Sequence, residues 1–127
     1  MSVYFNPRKG LIVITAQVWG PYGDVYLNLA LDTGATTTLL DFVTLRELGY
    51  PVEHPDASIQ LTSCTGIETV PMVELGRICA LGQERKSLPV AAHTLPSTAR
   101  IDGLLGLDFL RDSNVEIDFR AGKITLS

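Results

Sequence analysis

The stretch Leu29-Ala30-Leu31-Asp32-Thr33-Gly34-Ala35 decides how the rest of the chain is interpreted. Apolar residues at every second position from Val25 to Leu31 predict a strand with one buried face and with Asp32 at its end. A carboxylate followed by a small hydroxyl residue and a glycine is suited to a tight turn that presents the carboxylate, because glycine adopts backbone angles that other residues resist. The tripeptide alone is equally compatible with an ordinary solvated turn. Its interpretation therefore depends on the other motifs of the chain.

A second motif, Leu104-Leu105-Gly106, lies near the other end of the sequence and leads into a short helical stretch over 107–112. Both motifs run from strand residues through a glycine into a helical segment. This weak internal similarity is compatible with a duplicated half-domain. Between them, Ser58–Cys64 and Ile67–Leu75 flank Thr65-Gly66 and predict a β-hairpin. Pro71 predicts that the second arm lies at a sheet edge or near a bulge.

The remaining pattern is one of short strands separated by turns, with a single clear helix. Asp41–Leu48 is predicted to be helical, capped by Asp41 and ended by Gly49 and Pro51. The other expected strands are Leu11–Trp19, Arg77–Leu81, Ser87–Thr94, Asn114–Phe119 and Lys123–Leu126. We therefore expect an all-β fold with one or two short helices, formed as one domain over residues 1–127. The first ten residues are either ordered or a flexible arm.

Composition and charge disfavour several classes of partner. The chain carries ten Lys and Arg against fourteen Asp and Glu, a net charge of −4, and no basic cluster. Nucleic acid and anionic membranes are therefore disfavoured as partners. No apolar run is long enough for a membrane span, and the first ten residues lack the pattern of a secretory signal. We expect a soluble cytoplasmic protein.

Cysteine and histidine show no pattern of a metal or thiol site. Cys64 and Cys79 are the only cysteines, and His54 and His93 are far apart in the sequence. No metal-ligand spacing is present, so we expect neither a metal nor another cofactor. A disulfide is not implied, because a hairpin near Gly66 would place Cys64 opposite about residue 68. Cys64 also lacks a neighbouring base, which argues against a cysteine protease.

Taken in order, these features resemble the retropepsin-like aspartic protease family. In that family an apolar strand ends in Asp-Thr-Gly-Ala, a flap hairpin follows, and two apolar residues and a glycine lead into a short helix. The resemblance covers about Leu11 to the C-terminus, where 115–119 and 122–124 are similar to the closing strands. It implies a single-domain retropepsin-like closed β fold, the acid protease fold, that forms half of a dimeric active site.

The resemblance also implies a role for each matching residue. Asp32 would be the catalytic carboxylate, Thr33 would tie two active-site loops together, and Gly34, followed by Ala35, would let the substrate backbone come close. The apolar support beneath this loop would be Leu104, Leu105 and Gly106. Thr65 and Gly66 would lie near the tip of the flap and contribute to substrate binding.

This chain departs from the viral members of the family at two places. Those members follow Asp-Thr-Gly-Ala with two acidic residues and place an arginine after the later glycine. Here Thr36-Thr37 and Leu107 occupy these positions. The ion pair that helps to hold the viral dimer is therefore missing, which bears on the strength of the dimer and not on the catalytic carboxylate.

The chemistry of this family needs two carboxylates that share one proton. Asp-Thr-Gly occurs once, and neither Asp102 nor Asp108 is followed by Thr-Gly, so we interpret both as structural. The second carboxylate must then come from another copy of the chain.

Two hypotheses about function follow from the sequence. The first is an aspartic endopeptidase that acts as a homodimer on extended peptide or protein substrates. The second is a catalytically silent module that dimerises or binds a protein partner.

Overall fold

The computed structural model describes residues 1–63 and 65–127, which form a predominantly β structure with two short α-helices. The strands are β1 (Ser2–Tyr4), β2 (Val13–Gly20), β3 (Gly23–Leu31), β4 (Leu39–Asp41), β5 (Ala57–Ser63), β6 (Gly66–Ala80), β7 (Gln83–His93), β8 (Gly103–Leu105), β9 (Val115–Asp118) and β10 (Lys123–Leu126). The helices are α1 (Phe42–Glu47) and α2 (Leu107–Leu110), and Ser97–Ala99 form a 3-10 turn.

Six of these strands close into a barrel in the order β2, β3, β8, β4, β7, β6, since β6 pairs again with β2. The contacts of β3 with β8 and of β4 with β7 are parallel, and the others are antiparallel. β5 lies outside the closed ring and pairs with the first half of β6. The predicted closed β fold with one or two short helices is confirmed.

The barrel encloses the main apolar core. On β2, residues Ile14, Ala16 and Val18 are buried, as the alternation of a strand with one inward face requires. Phe109 from α2 and Leu45 from α1 are also fully buried and cover the core. The two helices are thus fixed to the barrel by burial of apolar side chains.

The ring closes where β6 meets β2, and a charged cluster covers this junction. Trp19 pairs with Arg77, whose guanidinium lies 4.0 Å from the centroid of the Trp19 ring. The same guanidinium donates a hydrogen bond of 2.8 Å to Glu84, and this bond lowers the pKa of the Glu84 carboxyl. The cluster is solvent-exposed, so its ion pair contributes little to the free energy of folding.

The local sequence signals agree with the structure in most elements and fail in one. Asp41 caps α1, with its carboxylate accepting a hydrogen bond from Thr44 N at 3.2 Å. Pro71 was predicted to lie at a sheet edge or near a bulge; it pairs with Ser58 of β5 on one side, and on the other side the pairing with β7 begins only at Met72, so it lies where β6 has one partner strand. The separate strands expected over Ile67–Leu75 and Arg77–Leu81 are wrong. Residues 66–80 form one long strand, since the pairing with β7 keeps the same register before and after Gly76, with Leu75 opposite Leu88 and Arg77 opposite Lys86.

A second, three-stranded sheet joins the two ends of the chain in the order β1, β10, β9. Ser2 pairs with Thr125, and Phe5 N donates to Gly122 O at 2.8 Å. The ring of Phe5 packs edge-to-face on the exposed ring of Phe119. The first residues of the chain are therefore paired with the last ones.

Two further expectations concern membrane spans and the cysteines. Over the described ranges, no helix is long and apolar enough to cross a membrane. Cys79 has a free thiol, and the prediction about Cys64 lies outside the described residues.

Candidate active site

Asp32 follows directly on the last residue of β3 and is held by a short hydrogen-bonded turn. Its backbone N–H donates to Leu105 O at 2.9 Å, and its carboxylate Oδ1 accepts from Gly34 N at 2.9 Å. Ala35 N donates to Asp32 O at 3.2 Å and closes the turn. The Asp32 side chain is half-buried, whereas Thr33 and Gly34 are exposed. The turn therefore fixes the position of the carboxylate and leaves one side of the loop open.

The second sequence motif lies directly beside the first. β8 runs parallel to the end of β3, with Ala30 opposite Leu104 and Leu31 opposite Leu105. Leu105 is fully buried, and Leu104 is partly buried and faces the cleft described below. The structure thus brings together all the residues predicted for the active-site loop and its apolar support.

Gly106 lets the two loops approach each other closely. A Cβ at this position would lie 2.8 Å from Ala35 O and 2.9 Å from the carbonyl carbon of Thr37, distances that real side chains do not show. The following residue, Leu107, donates its N–H to Ala35 O at 2.8 Å. A glycine is therefore required here for packing, which gives a physical reason for the third residue of the motif.

A buried threonine links the Asp32 loop to helix α2, and the sequence did not point to it. Thr38 is fully buried; its hydroxyl donates to Asp108 Oδ1 at 2.6 Å and accepts from Gly106 N at 3.1 Å. Thr38 N also donates to Asp108 Oδ2 at 2.8 Å. One signal could have suggested this bond: an acidic residue in the first turn of α2, next to the Gly106 motif, is available to bind the neighbouring loop.

Asp102 and Asp108, considered as sources of a second carboxylate, are both engaged elsewhere. Asp102 accepts a hydrogen bond from Asn28 N at 2.8 Å and connects β3 to the segment before β8. Asp108 is held by Thr38, as described above. Neither residue lines the cleft that contains Asp32. Their contacts are those of structural carboxylates.

A cleft of about 700 Å³ separates the Asp32 loop from the β5–β6 hairpin. Asp32, Gly34 and Ala35 lie on its floor, and Thr65 lies on the opposite side, at the end of the hairpin. The hairpin pairs in register from Ala57 with Met72 to Ser63 with Gly66. The remaining lining residues are Thr36, Thr37, Leu39, Ile59, Gln60, Leu61, Thr62, Glu68, His93 and Leu104. The hairpin predicted between the two motifs therefore exists and covers the loop that carries Asp32.

Two ionisable residues of the cleft were not predicted as site residues. His93 Nε2 lies 2.9 Å from Glu68 Oε2, and the pair joins the end of β7 to the hairpin. Within the ranges 1–63 and 65–127, no group of three or more potential ligands could hold a metal ion. The cleft thus offers carboxylates and one imidazole to a bound molecule.

Comparisons with known proteins agree with this geometry. A family model described as aspartyl protease matches residues 15–109, well over half of the chain. The chain belongs to the aspartyl protease family. No curated protein matched the sequence.

The fold of the chain is that of the retropepsin-like members of this family. A retropepsin-like aspartic protease from Rickettsia conorii superposes with a TM-score of 0.75 at 20% identity, over 99% of this chain and 88% of that one. EIAV protease, complexed with the inhibitor HBY-793, gives a TM-score of 0.61 at 23% identity, over 87% and 93% of the two chains. Family and fold together support a peptidase.

Proposed function

We propose that this aspartyl protease is an endopeptidase whose active site forms between two Asp32 carboxylates of a homodimer. The observation that carries the proposal is the position of Asp32 on the floor of an open cleft beneath a hairpin. The carboxylate is fixed by Gly34 N and by the pairing of β3 with β8. A preorganised acid in a cleft is what hydrolysis of a bound peptide requires.

The proposed reaction needs one proton shared between the two carboxylates. The ionised carboxylate takes a proton from a bound water, and the water oxygen attacks the carbonyl carbon of the scissile bond. The protonated carboxylate gives its proton to the carbonyl oxygen, which yields a tetrahedral diol. In the collapse of the diol, the carboxylate that was protonated by the water gives that proton to the leaving nitrogen, and the other carboxylate takes a proton from a diol hydroxyl while the C–N bond breaks, which leaves a carboxylic acid and an amine. Asp32 from each chain serves once as base and once as acid, and no cofactor takes part.

A second copy of the chain supplies the missing carboxylate in this proposal. Asp-Thr-Gly occurs once, and the carboxylates of Asp102 and Asp108 are bound to backbone groups. The exposed side of the loop, formed by Thr33 and Gly34, is where a symmetric copy would have to approach for the two Asp32 side chains to meet. We assign to Thr33 the contact between the two loops.

The substrate class we propose is an extended peptide segment. The cleft lies between a β-hairpin and a loop at a strand end, and extended peptides bind to such surfaces through main-chain hydrogen bonds. Thr65 and Gly66 lie at the end of the hairpin that would close over the peptide. Substrate is thus held by its backbone, and the cleft walls select among side chains.

Replacement of the proposed catalytic carboxylate tests this function. Asp32→Asn keeps the size of the side chain and removes the charge, so peptide cleavage should fall by at least about a thousandfold. Asp112→Asn is the matched control, because Asp112 is exposed, and asparagine accepts its left-handed backbone angle of φ 63°. Cleavage of a peptide library is measured for both purified variants, and only Asp112→Asn should retain the activity of wild type. Equal turnover by wild type and Asp32→Asn would contradict the proposal, and a folded dimer without any cleavage would favour the silent binding module.

A further inference from the structure

The cleft contains an apolar side pocket that ends in an ionisable pair. We define the side pocket by four lining residues, Leu39, Ile59, Leu61 and Leu104. Val70 and Ala91 are buried beneath them and form one small apolar cluster with Leu39. This wall suits an aliphatic chain, since burial of each CH₂ group is favourable.

Glu68 lies on the same face of the hairpin as the side pocket. It pairs directly with Leu61 across the β5–β6 ladder, and cross-strand partners point to the same side of a sheet. Val70, two residues further along β6, is buried on that face. The carboxylate of Glu68 is therefore placed at the polar end of an apolar wall.

His93 holds this carboxylate without covering it. The two side chains are in contact at 2.9 Å, yet the side chain of Glu68 remains 62% exposed, against 30% for His93. A substrate group entering the side pocket can thus reach the carboxylate. A contact that served only to fasten the hairpin would not need this accessible acid.

The charges of the cleft favour a cation at this position. Glu68 and Asp32 are its two acidic lining residues, His93 is the one titratable base, and neither Lys nor Arg lines the described part of the cleft. A cleft lined by one sign of charge raises the local concentration of the opposite charge.

We propose that Glu68, positioned by His93, selects substrates that place a lysine or arginine side chain in the side pocket. The aliphatic stem would contact Leu61 and Leu104, and the cationic end would bind the Glu68 carboxylate. This inference rests on the proposed peptidase function of the same cleft. In the homodimer each chain contributes one side pocket, so the preference applies on both sides of the scissile bond.

Matched peptides that differ at one position test the preference. The series carries lysine, norleucine or glutamate in an otherwise identical extended peptide, since norleucine keeps the stem of lysine without its charge. All peptides are assayed in the same buffer at the same pH, so that the ratio of their rates reports the contact with the Glu68 carboxylate. We expect kcat/KM for the lysine peptide to exceed that for norleucine roughly three- to tenfold, with glutamate lowest.

Variants of the pair show whether Glu68 causes the preference. Glu68→Gln should bring the lysine-to-norleucine ratio close to one, and Glu68→Lys should make glutamate the preferred residue. Glu74→Gln, the same change on the same strand but lining a different groove, should leave the ratio unchanged. His93→Ala should lower the ratio, and His93→Gln should restore part of it, because glutamine keeps a hydrogen-bond donor.

A binding measurement separates this inference from the proposed function. Fluorescence anisotropy with Asp32→Asn protein and labelled lysine or norleucine peptides reports selection without cleavage. Failure of wild type to cleave any peptide would contradict the function, while tighter binding of the lysine peptide would still support the role of Glu68. Equal kcat/KM and equal binding across the peptide series would overturn the inference. A Glu68→Gln variant that slows all peptides by the same factor would also overturn it.

Discussion

At the scale of single residues, the position of Asp32 depends on a side chain that lies behind it. Thr38 hydrogen-bonds to Gly106 and to Asp108 at once, so one hydroxyl links the loop, the apolar support and helix α2. Thr38 and its hydrogen bond to Gly106 N are buried, so water has little access to Gly106 N when this partner is lost. The carboxylate is therefore held by two layers: its own turn and this buried network.

Thr38→Val should lower both stability and activity. Valine has the shape of threonine without the hydroxyl, so Gly106 N and Asp108 Oδ1 would each lose a partner. We expect the free energy of unfolding to fall by about 1–3 kcal/mol, as measured by urea denaturation. Thr36→Val is the control, because Thr36 is exposed and should change stability by less than about 0.5 kcal/mol. Equal stability of the two variants would mean that the buried network contributes little.

At the scale of elements, the molecule offers two hairpins of the same construction. Gly23 pairs with the last residue of β2, and Gly66 pairs with the last residue of β5. Their φ angles are +145° and +135°, and a Cβ on either glycine would meet no atom within 4 Å. Only the β5–β6 hairpin covers the cleft. Substitution of each of these two glycines therefore separates the effect of backbone strain on stability from the effect on the cleft.

Gly66→Ala should impair cleavage, whereas Gly23→Ala should not. Both changes place an L residue at a backbone angle that favours glycine, so each should cost about 1–3 kcal/mol of stability. If the β5–β6 hairpin closes over the substrate, only Gly66→Ala should lower kcat/KM, on the order of tenfold or more. Both variants are assayed well below their melting temperatures. The same kcat/KM in the two variants would show that this hairpin is an ordinary connection.

The sequence allowed prediction of those elements whose signals are local. The alternation before Asp32, the cap at Asp41 and the hairpin around Thr65 were confirmed, because each depends on neighbouring residues. The short strand β4 and the pairing of β6 with β2 were not predicted. Three residues carry too little periodicity, and ring closure depends on contacts between distant segments.

The same distinction holds for the candidate site: residues marked by a local motif were predicted, and residues with distant partners were not. The ordered motifs pointed to Asp32, Gly34 and Gly106, and the structure brings them together. Thr38 and the Glu68–His93 pair went unnoticed, because their partners are distant in sequence and no motif marks them. His93 lies far from His54 in the sequence, and this separation gave no reason to place it in a site.

At the scale of the whole molecule, the exposed loop and the terminal sheet are the features relevant to assembly. β10 is paired on both sides, with β1 and with β9, so a second copy joining this sheet would use an outer edge of β1 or β9.

Thr36, Thr37 and Leu107 replace the charged residues of the viral pattern. The proposed dimer would thus form without that ion pair. We expect sedimentation to show dissociation at low concentration.

Mixing active and inactive chains tests the shared site most directly. Wild type and Asp32→Asn are unfolded together in urea in equal amounts and refolded, so that the chains pair at random. If each site needs Asp32 from both chains, only wild-type pairs are active, and cleavage should fall to about a quarter of that of wild type at the same total concentration. Chains that work singly would retain about half. A parallel mixture with Asp112→Asn should keep full activity, because that variant leaves the carboxylate pair intact. Retention of half the activity in the first mixture would show that one chain carries a complete site.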